Sequence, residues 1–525
     1  MKLPNTFLCL FACAFVLVNC KNDSHAFFQS DQQELIKTVE TNLSFANRLK
    51  DEPTWTITER MEHYGVPGMS LAVIKDNKVI WTKAYGVKDR DTNQPVTTDT
   101  LFQCASISKP LSSAAALAMS EKNSLDLDAN VNQYLTSWKL PDNAFTKQKK
   151  VSIKHLISHT GGVTVHGFRG YTTEEDVPTL IELLSGTAPS NSPPVRVDKE
   201  PGGEFRYSGG GYCILQQLMI DQTGEAFPTI MQKFVLTPLG MTKSTYEQPL
   251  PTDRINEAAT GHFPNGQMVT GKQHIYPEMS PAGLWSTSEE LARFIIELQL
   301  SYKGESSKVF SSKMARQMLD EDLGIFVRGK GDDKYFGHGG WNEGFSSEAR
   351  AHLAKGYGVV VLTNSNHPQF VEEVINSVAN TYQWANASNE YSPLPITAEE
   401  LKEIVGRYDR DGELINVSPN GEKLFYSEYG QTPLEMFKVA ENKFVRKERP
   451  HAVCFSKNSN TGQTQFAFQL PGETASDVEI AAYKMASDQK LPIEWIDAGD
   501  FEKAKEAYLA VQKNPQNHLV SMKRH

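Results

Sequence analysis

Cysteine is scarce. The 525-residue chain holds six; Cys9, Cys13 and Cys20 fall at its very start, and only Cys104, Cys213 and Cys454 remain for the body. Thiols this few and scattered do not build a disulfide framework. C-x-x-C and H-E-x-x-H are both missing and the histidines are dispersed, so neither a metal nor any other cofactor is expected. There is no long basic run and the net charge is −10, which excludes nucleic acid as the expected partner. Beyond the first residues no apolar stretch is long enough to cross a bilayer. The glycine fingerprints of dinucleotide and nucleotide binding are absent. So is G-x-S-x-G, without which an α/β-hydrolase has no nucleophile elbow.

What is present begins with a leader. Lys2 precedes "FLCLFACAFVLV", Phe7 to Val18, an apolar run of signal-peptide size. Ser24-His25-Ala26 offers a peptidase site, making residues 1–26 a signal peptide and Phe27 the new N-terminus. Leu17-Val18-Asn19-Cys20 resembles a lipobox, with Cys20 as a lipidated membrane tether. Either processing route implies a protein outside the cytoplasm, periplasmic or secreted. Hydrophobic content of 39% and charged content of 22% are those of a globular protein, and the length calls for more than one domain.

Residues 27–52 read as an N-terminal segment with a polar amphipathic helix over 31–50. "GMSLAVIKDNKVIWTKAYGV", Gly68 to Val87, reads as two strands joined at Asp76-Asn77. A helix- and loop-rich stretch follows to about Gln317, ending in a helix capped near Ser286 or Ser288. From Lys334, "KYFGHGGW", "FSSEARAHL" and "YGVVVLTNS" form an antiparallel meander, closed by a helix near Gln369–Trp384. Strands at both ends with helices between imply an α+β domain over 53–385. It would be one antiparallel sheet flanked by helices, plus an all-helical lobe. A linker is expected at 386–397, a small all-β barrel or sandwich at 398–485, and a helical tail at 486–525.

The chemistry gathers at "FQCASISKPLSSAAALAMS", Phe102 to Ser120. The four residues Ser106-Ile107-Ser108-Lys109 allow two readings. A serine before an alanine-rich run is an ordinary helix cap. Alternatively, Lys109 sits one turn above Ser106 on the same face, against an apolar surface that lowers its pKa and makes it a base for a serine nucleophile. Acyl transfer needs further parts. "RYSGGGY" supplies Tyr207 on a glycine-rich loop before a helix, and "GHGGW" supplies His338 on a strand beside Gly339 and Gly340.

In this order and layout the three motifs resemble those of the serine β-lactamase and penicillin-binding-protein superfamily. The resemblance is to its class C-like branch, which also holds esterases and D-amino-acid peptidases. It spans about residues 53–385 and includes "HLISHTGG", "PLGMTKSTY" and "AGLWSTSEELARF"; the C-terminal β domain is similar to the lipocalin-like domain often appended in this family. The resemblance implies Ser106 as nucleophile and Lys109 as its base, alone or with Tyr207. Tyr207 would pass a proton to the leaving group. The backbone N–H groups of Ser106 and Trp341 would form the oxyanion hole, and His338 would support Tyr207 or bind a substrate carboxylate. Two departures stand out. Gly209 occupies the asparagine position of the Tyr-x-Asn motif, and His338 the lysine position of Lys-Thr-Gly. Both point from β-lactams towards esters or D-amino-acid and cell-wall peptides. The expected partner is therefore a small-molecule or peptide substrate, with oligomeric state left open. A penicillin-binding or muropeptide sensor that is acylated without turnover is the second reading.

Overall fold

The computed structural model describes residues 31–384, 389–410, 412–469 and 480–513. The leader, with Cys20 and Phe27, lies outside the described residues.

Helix α1 covers 31–41, shorter than the 31–50 expected. Beyond Thr41 no single helix face could serve the apolar residues. Leu43 packs with Ile36 and Val39 under the sheet, Phe45 stands edge-on to Trp55, and Leu49 joins Val445 and Ala452 of the C-terminal barrel. The chain therefore becomes extended and enters strand β1 (Asn47–Leu49). Helix α2 (Ile57–Tyr64) is fixed by a Thr56–Glu59 capping box and stops at Gly65 in the left-handed region. The hairpin of β2 (Gly68–Lys75) and β3 (Lys78–Asp89) turns at Asp76 and Asn77, both at positive φ, the geometry that matches strand twist.

The helical lobe contributes α3 (Ser108–Glu121), α4 (Gly209–Thr223), the single turn α5 (Met279–Ala282) and α6 (Ser288–Lys303). The cap of α6 is Thr287, whose side chain accepts the Glu290 N–H; neither flanking serine serves. Ser286 Oγ is hydrogen-bonded to Ser244 Oγ and Ser288 Oγ to Ser70 Oγ, so both hydroxyls are committed elsewhere. The chain returns through β4 (Phe326–Arg328), β5 (Tyr335–Asn342), β6 (Phe345–His352) and β7 (Gly358–Thr363), then α7 (Pro368–Thr381).

These strands form one antiparallel sheet in the order β3-β2-β7-β6-β5-β4, with a short strand at Gln94–Pro95 outside β3. Alternation along β2 and β7 divides the core. Met69, Leu71, Val73, Val359 and Val361 pack under α1, α2 and α7. Ala72, Ile74, Val360 and Leu362 face α3, α6 and the lobe.

The expected linker carries strand β8 (Asn389–Tyr391), which pairs in parallel with β1. Helix α8 (Ala398–Ile404) then leads into an eight-stranded closed barrel. Its strands are β9 (Gly406–Arg410), β10 (Glu413–Asn420), β11 (Lys423–Glu428), β12 (Leu434–Ala440), β13 (Lys443–Arg446), β14 (Arg449–Lys457), β15 (Thr464–Gln469) and β16 (Ile480–Lys484). The β10–β11 hairpin turns at Gly421-Glu422, with Pro419 and Asn420 still paired as strand residues. Contacts between barrel and body are more than the linker's composition suggested. Asn47 Nδ2 donates to the carbonyls of Arg446 and Arg449, and Lys447 pairs with Glu52. The described part of the tail holds the helices α9 (Pro492–Asp497) and α10 (Phe501–Lys513).

Candidate active site

Ser106 lies in a 3-10 turn, Ala105–Ile107, that runs into α3. It is not the helix cap: α3 is preceded by Ile107 and has no side-chain cap. The turn is held from several sides. Ser108 Oγ donates to Ala105 O at 2.6 Å and accepts the Leu284 N–H, while Ser347 Oγ of β6 donates to Cys104 O. Ala105 has φ 49, a left-handed conformation that costs a non-glycine residue about 1–3 kcal/mol. The strain is held in place by these bonds and fixes the turn next to Ser106.

Lys109 Nζ lies 2.9 Å from Ser106 Oγ and 2.9 Å from Pro281 O on α5. Its side chain is 2% exposed. Burial drives its pKa down to about 7, opposed weakly by the Cys213 thiol; the causes include no neighbouring carboxylate. Tyr207 hydrogen-bonds to Ser106, and burial raises its pKa well above the ordinary tyrosine value, the serine bond offsetting part of the rise. Lys109 Nζ is 4.8 Å from the Tyr207 ring centroid. The three residues expected from the first two motifs are thus in mutual contact around one oxygen.

His338, on β5, is buried. Its ring stacks on Phe326 at 5.0 Å and lies 6.1 Å from that of Tyr207. Its Nδ1 is 2.6 Å from Gly339 O, so Nδ1 carries the hydrogen. Gly340 lets β5 press on the serine turn: a Cβ there would collide with Cys104 O and Ser347 Oγ. Trp341 is 52% exposed and stands at the mouth of the cleft.

The cleft has a volume of about 1030 Å³. Besides the motif residues, it is lined by Phe168, Phe326 and Val371 and by Glu348 and Glu372. Arg350 meets Glu372 through both terminal nitrogens, at 3.0 and 2.8 Å, and Glu348 at 3.4 Å. Gly209 is the second position where a missing side chain matters. A Cβ there would be 2.9 Å from Phe168 Cε2 and 3.1 Å from His166 O. The loop 166–169 therefore lies across the place an asparagine side chain would need.

Sequence reasoning missed the groups that hold Tyr207. His159 stacks on its ring at 4.4 Å. The flanking backbone is tied to the same histidine: Arg206 N–H donates to His159 O at 2.8 Å, and Ser208 N–H to His159 Nδ1 at 3.0 Å. His159 is the second histidine of "HLISHTGG". Pro281 O, which shares Lys109 with Ser106, is a backbone atom and has no sequence signal. Among the described residues no group of three or more His, Cys, Asp or Glu side chains could hold a metal ion.

The relationship to known proteins agrees with this geometry. A family model described as Beta-lactamase matches residues 55–382. The chain belongs to the beta-lactamase family. Among curated proteins it is similar to Protein flp of Staphylococcus aureus (strain N315), 24% identical over 360 residues, covering 65% of this chain and 70% of that protein. It is also similar to the putative penicillin-binding protein PbpX of Bacillus subtilis (strain 168), 25% identical over 284 residues, covering 52% of this chain and 63% of that one. Among solved structures, the octameric penicillin-binding protein homologue from Pyrococcus abyssi aligns with a TM-score of 0.55 at 20% identity. That alignment covers 82% of this chain and 98% of the other, a likeness of fold. The beta-lactamase-like domain and the all-β C-terminal domain expected from the sequence are both present.

Proposed function

We propose that this member of the beta-lactamase family is a serine hydrolase that works through an acyl-enzyme on Ser106. The observation that carries the reading is Lys109: buried, 2.9 Å from Ser106 Oγ, and brought down to about 7. Its neutral amine takes the Ser106 proton as Oγ attacks the substrate carbonyl. Tyr207, held protonated by burial, is an acid rather than a second base; it gives its proton to the leaving group and is refilled from Lys109. Water then attacks the acyl carbonyl, its proton going back through the same pair, and Ser106 leaves with a proton restored. The N–H groups of Ser106 and Trp341 are assigned to the oxyanion. His338, packed between Phe326 and Tyr207, is assigned to support of Tyr207, not to a substrate carboxylate.

Esters and D-amino-acid or cell-wall peptides are the proposed substrates, with β-lactams turned over weakly at best, because Phe168 crosses the space of the amide-binding side chain at Gly209. The protein acts outside the cytoplasm, and the mature N-terminus, Phe27 or a lipidated Cys20, identifies its processing. The test is a parallel turnover screen on p-nitrophenyl acetate and butyrate, nitrocefin and D-alanyl peptides, with Ser106→Ala beside the native protein. Ser106→Ala should remove turnover and fluorophosphonate labelling and leave the fold intact. Labelling that persists on another residue overturns the assignment; a stable stoichiometric adduct without turnover turns it into a sensor.

A further inference from the structure

Among the described residues two arginines, Arg60 and Arg446, are buried on aromatic faces, and one of the two is bonded to a carboxylate. Arg60 lies 4.4 Å over Trp55 and 4.8 Å over Tyr64. Its Nε and Nη2 grip Glu373, each at 2.6 Å. That edge of the guanidinium presents two parallel N–H groups matched to the two oxygens of a carboxylate. Arg446, at the end of β13, is set in the same manner. Its side chain is 1% exposed and its Cζ lies 4.3 Å over Tyr426 and 5.4 Å over Phe468. Yet Nε and Nη2, the same edge, are buried and meet no hydrogen-bond acceptor.

Among the described residues no carboxylate bonds to that edge. Alternation places Phe444 and Arg446 inside the barrel, with Val445 outside against Leu49. One end of the barrel is closed by α8, where Tyr408 donates to Ile404 O. The end that carries Arg446 also carries Arg410, Glu413, Glu428 and His451. Glu413 and Glu428 are both engaged by Arg410. His451 is driven down to about 3, by burial first and then by Arg446, Arg449 and Arg410, so it adds no positive charge at neutral pH. Arg446 itself is drawn down only to about 10 and remains a cation. A charge held dry with its best hydrogen-bonding edge unused is a large cost unless an anion completes it.

We propose that the Arg446 edge of the barrel is a binding site for a small monoanionic carboxylate, seated between Tyr426, Phe468 and His451. Glu428 and Tyr426 act on this guanidinium from elsewhere, and the open Nε–Nη2 edge has room in its bonding for one carboxylate. The paired N–H groups select a planar two-oxygen acceptor over a spherical halide, as Glu373 does at Arg60.

Calorimetric titration and thermal shift of the full chain test this, with acetate, benzoate and chloride as probes at constant ionic strength. Acetate and benzoate should bind and raise Tm, and chloride at the same concentration should not. Arg446→Met keeps the stem and removes the guanidinium. It should abolish carboxylate binding, raise the unliganded Tm and leave ester turnover at Ser106 unchanged. Arg446→Lys, which keeps the charge without the fork, should weaken binding by about tenfold or more. Three results overturn the site: no carboxylate binding to the native chain, binding that survives Arg446→Met, or chloride binding as well as acetate. Glu448, two residues along the hairpin, has a buried carboxylate oxygen without a partner. If Glu448→Gln destabilises the native chain and uncovers acetate binding where none was seen, Glu448 is the partner of Arg446 and the proposal falls.

Discussion

Replacing Lys109 by methionine should destroy activity and strengthen the fold at neutral pH. In the folded chain the amine titrates near 7 instead of its ordinary 10.5; in the unfolded chain it is charged throughout. Between these values the unfolded state binds the extra proton, so stability rises with pH across that window and the deficit is full below it. A shift of about 3.5 units at ~1.4 kcal/mol each makes the buried lysine cost about 4 kcal/mol at pH 7 and about 2 kcal/mol at pH 9. Methionine removes this cost but also removes the bonds to Ser106 Oγ and Pro281 O, at ~1 kcal/mol apiece. The variant should therefore be about 2 kcal/mol more stable than the native chain near pH 7 and roughly equal to it near pH 9. Urea unfolding of both proteins at each pH measures the difference, in which all other titrations cancel. A variant that is less stable at pH 7, or a gap that does not close as pH rises, refutes the low pKa, and with it the lysine as neutral base. Native ester turnover should rise with pH through about 7, as the amine loses its proton.

Three further outcomes are expected. His159→Asn keeps an acceptor for the Ser208 N–H but loses the ring under Tyr207; kcat on a small ester should fall about tenfold to a hundredfold with KM little changed, and an unchanged kcat would remove His159 from the positioning of Tyr207. Gly209→Asn alone should be destabilising because its Cβ meets Phe168, whereas Gly209→Asn with Phe168→Gly should fold and gain nitrocefin or peptide turnover relative to ester; a single variant as stable as the native chain would show that Phe168 does not hold that space. A chain ending near Ser392 should keep most of its ester turnover, since every site residue precedes it, but with a lower Tm from the exposed Leu49 and the lost Asn47 and Glu52 contacts; a folded, inactive product would show that the barrel completes the cleft.

The parts of the fold that were legible are those whose signal is local. The β2–β3 hairpin announced itself by alternation and by Asp76-Asn77, and the barrel by its run of short strands. The places where reading failed are those decided by competition at a distance. Thr287 caps α6 because its two serine neighbours bond to Ser244 and Ser70, partners 42 and 218 residues away. α1 stops at 41 because Leu49 belongs to a barrel that begins some 350 residues later. No window of sequence contains either fact.

The site divides along the same line, and the division has a chemical meaning. Ser106 and Lys109 are three residues apart, so one helical turn makes their contact and the short motif suffices to find them. What lowers the pKa of that lysine is remote. The dryness around Lys109 is built by α4, α5 and the Tyr207 loop, and the carbonyl that shares its proton comes from Pro281. Ser-x-x-Lys recurs at Ser487-Asp488-Gln489-Lys490, where Lys490 instead is exposed and lies over Trp495. The same spacing thus gives a buried amine brought down to about 7 in one place and an exposed lysine in the other. The difference is burial, which four letters do not encode.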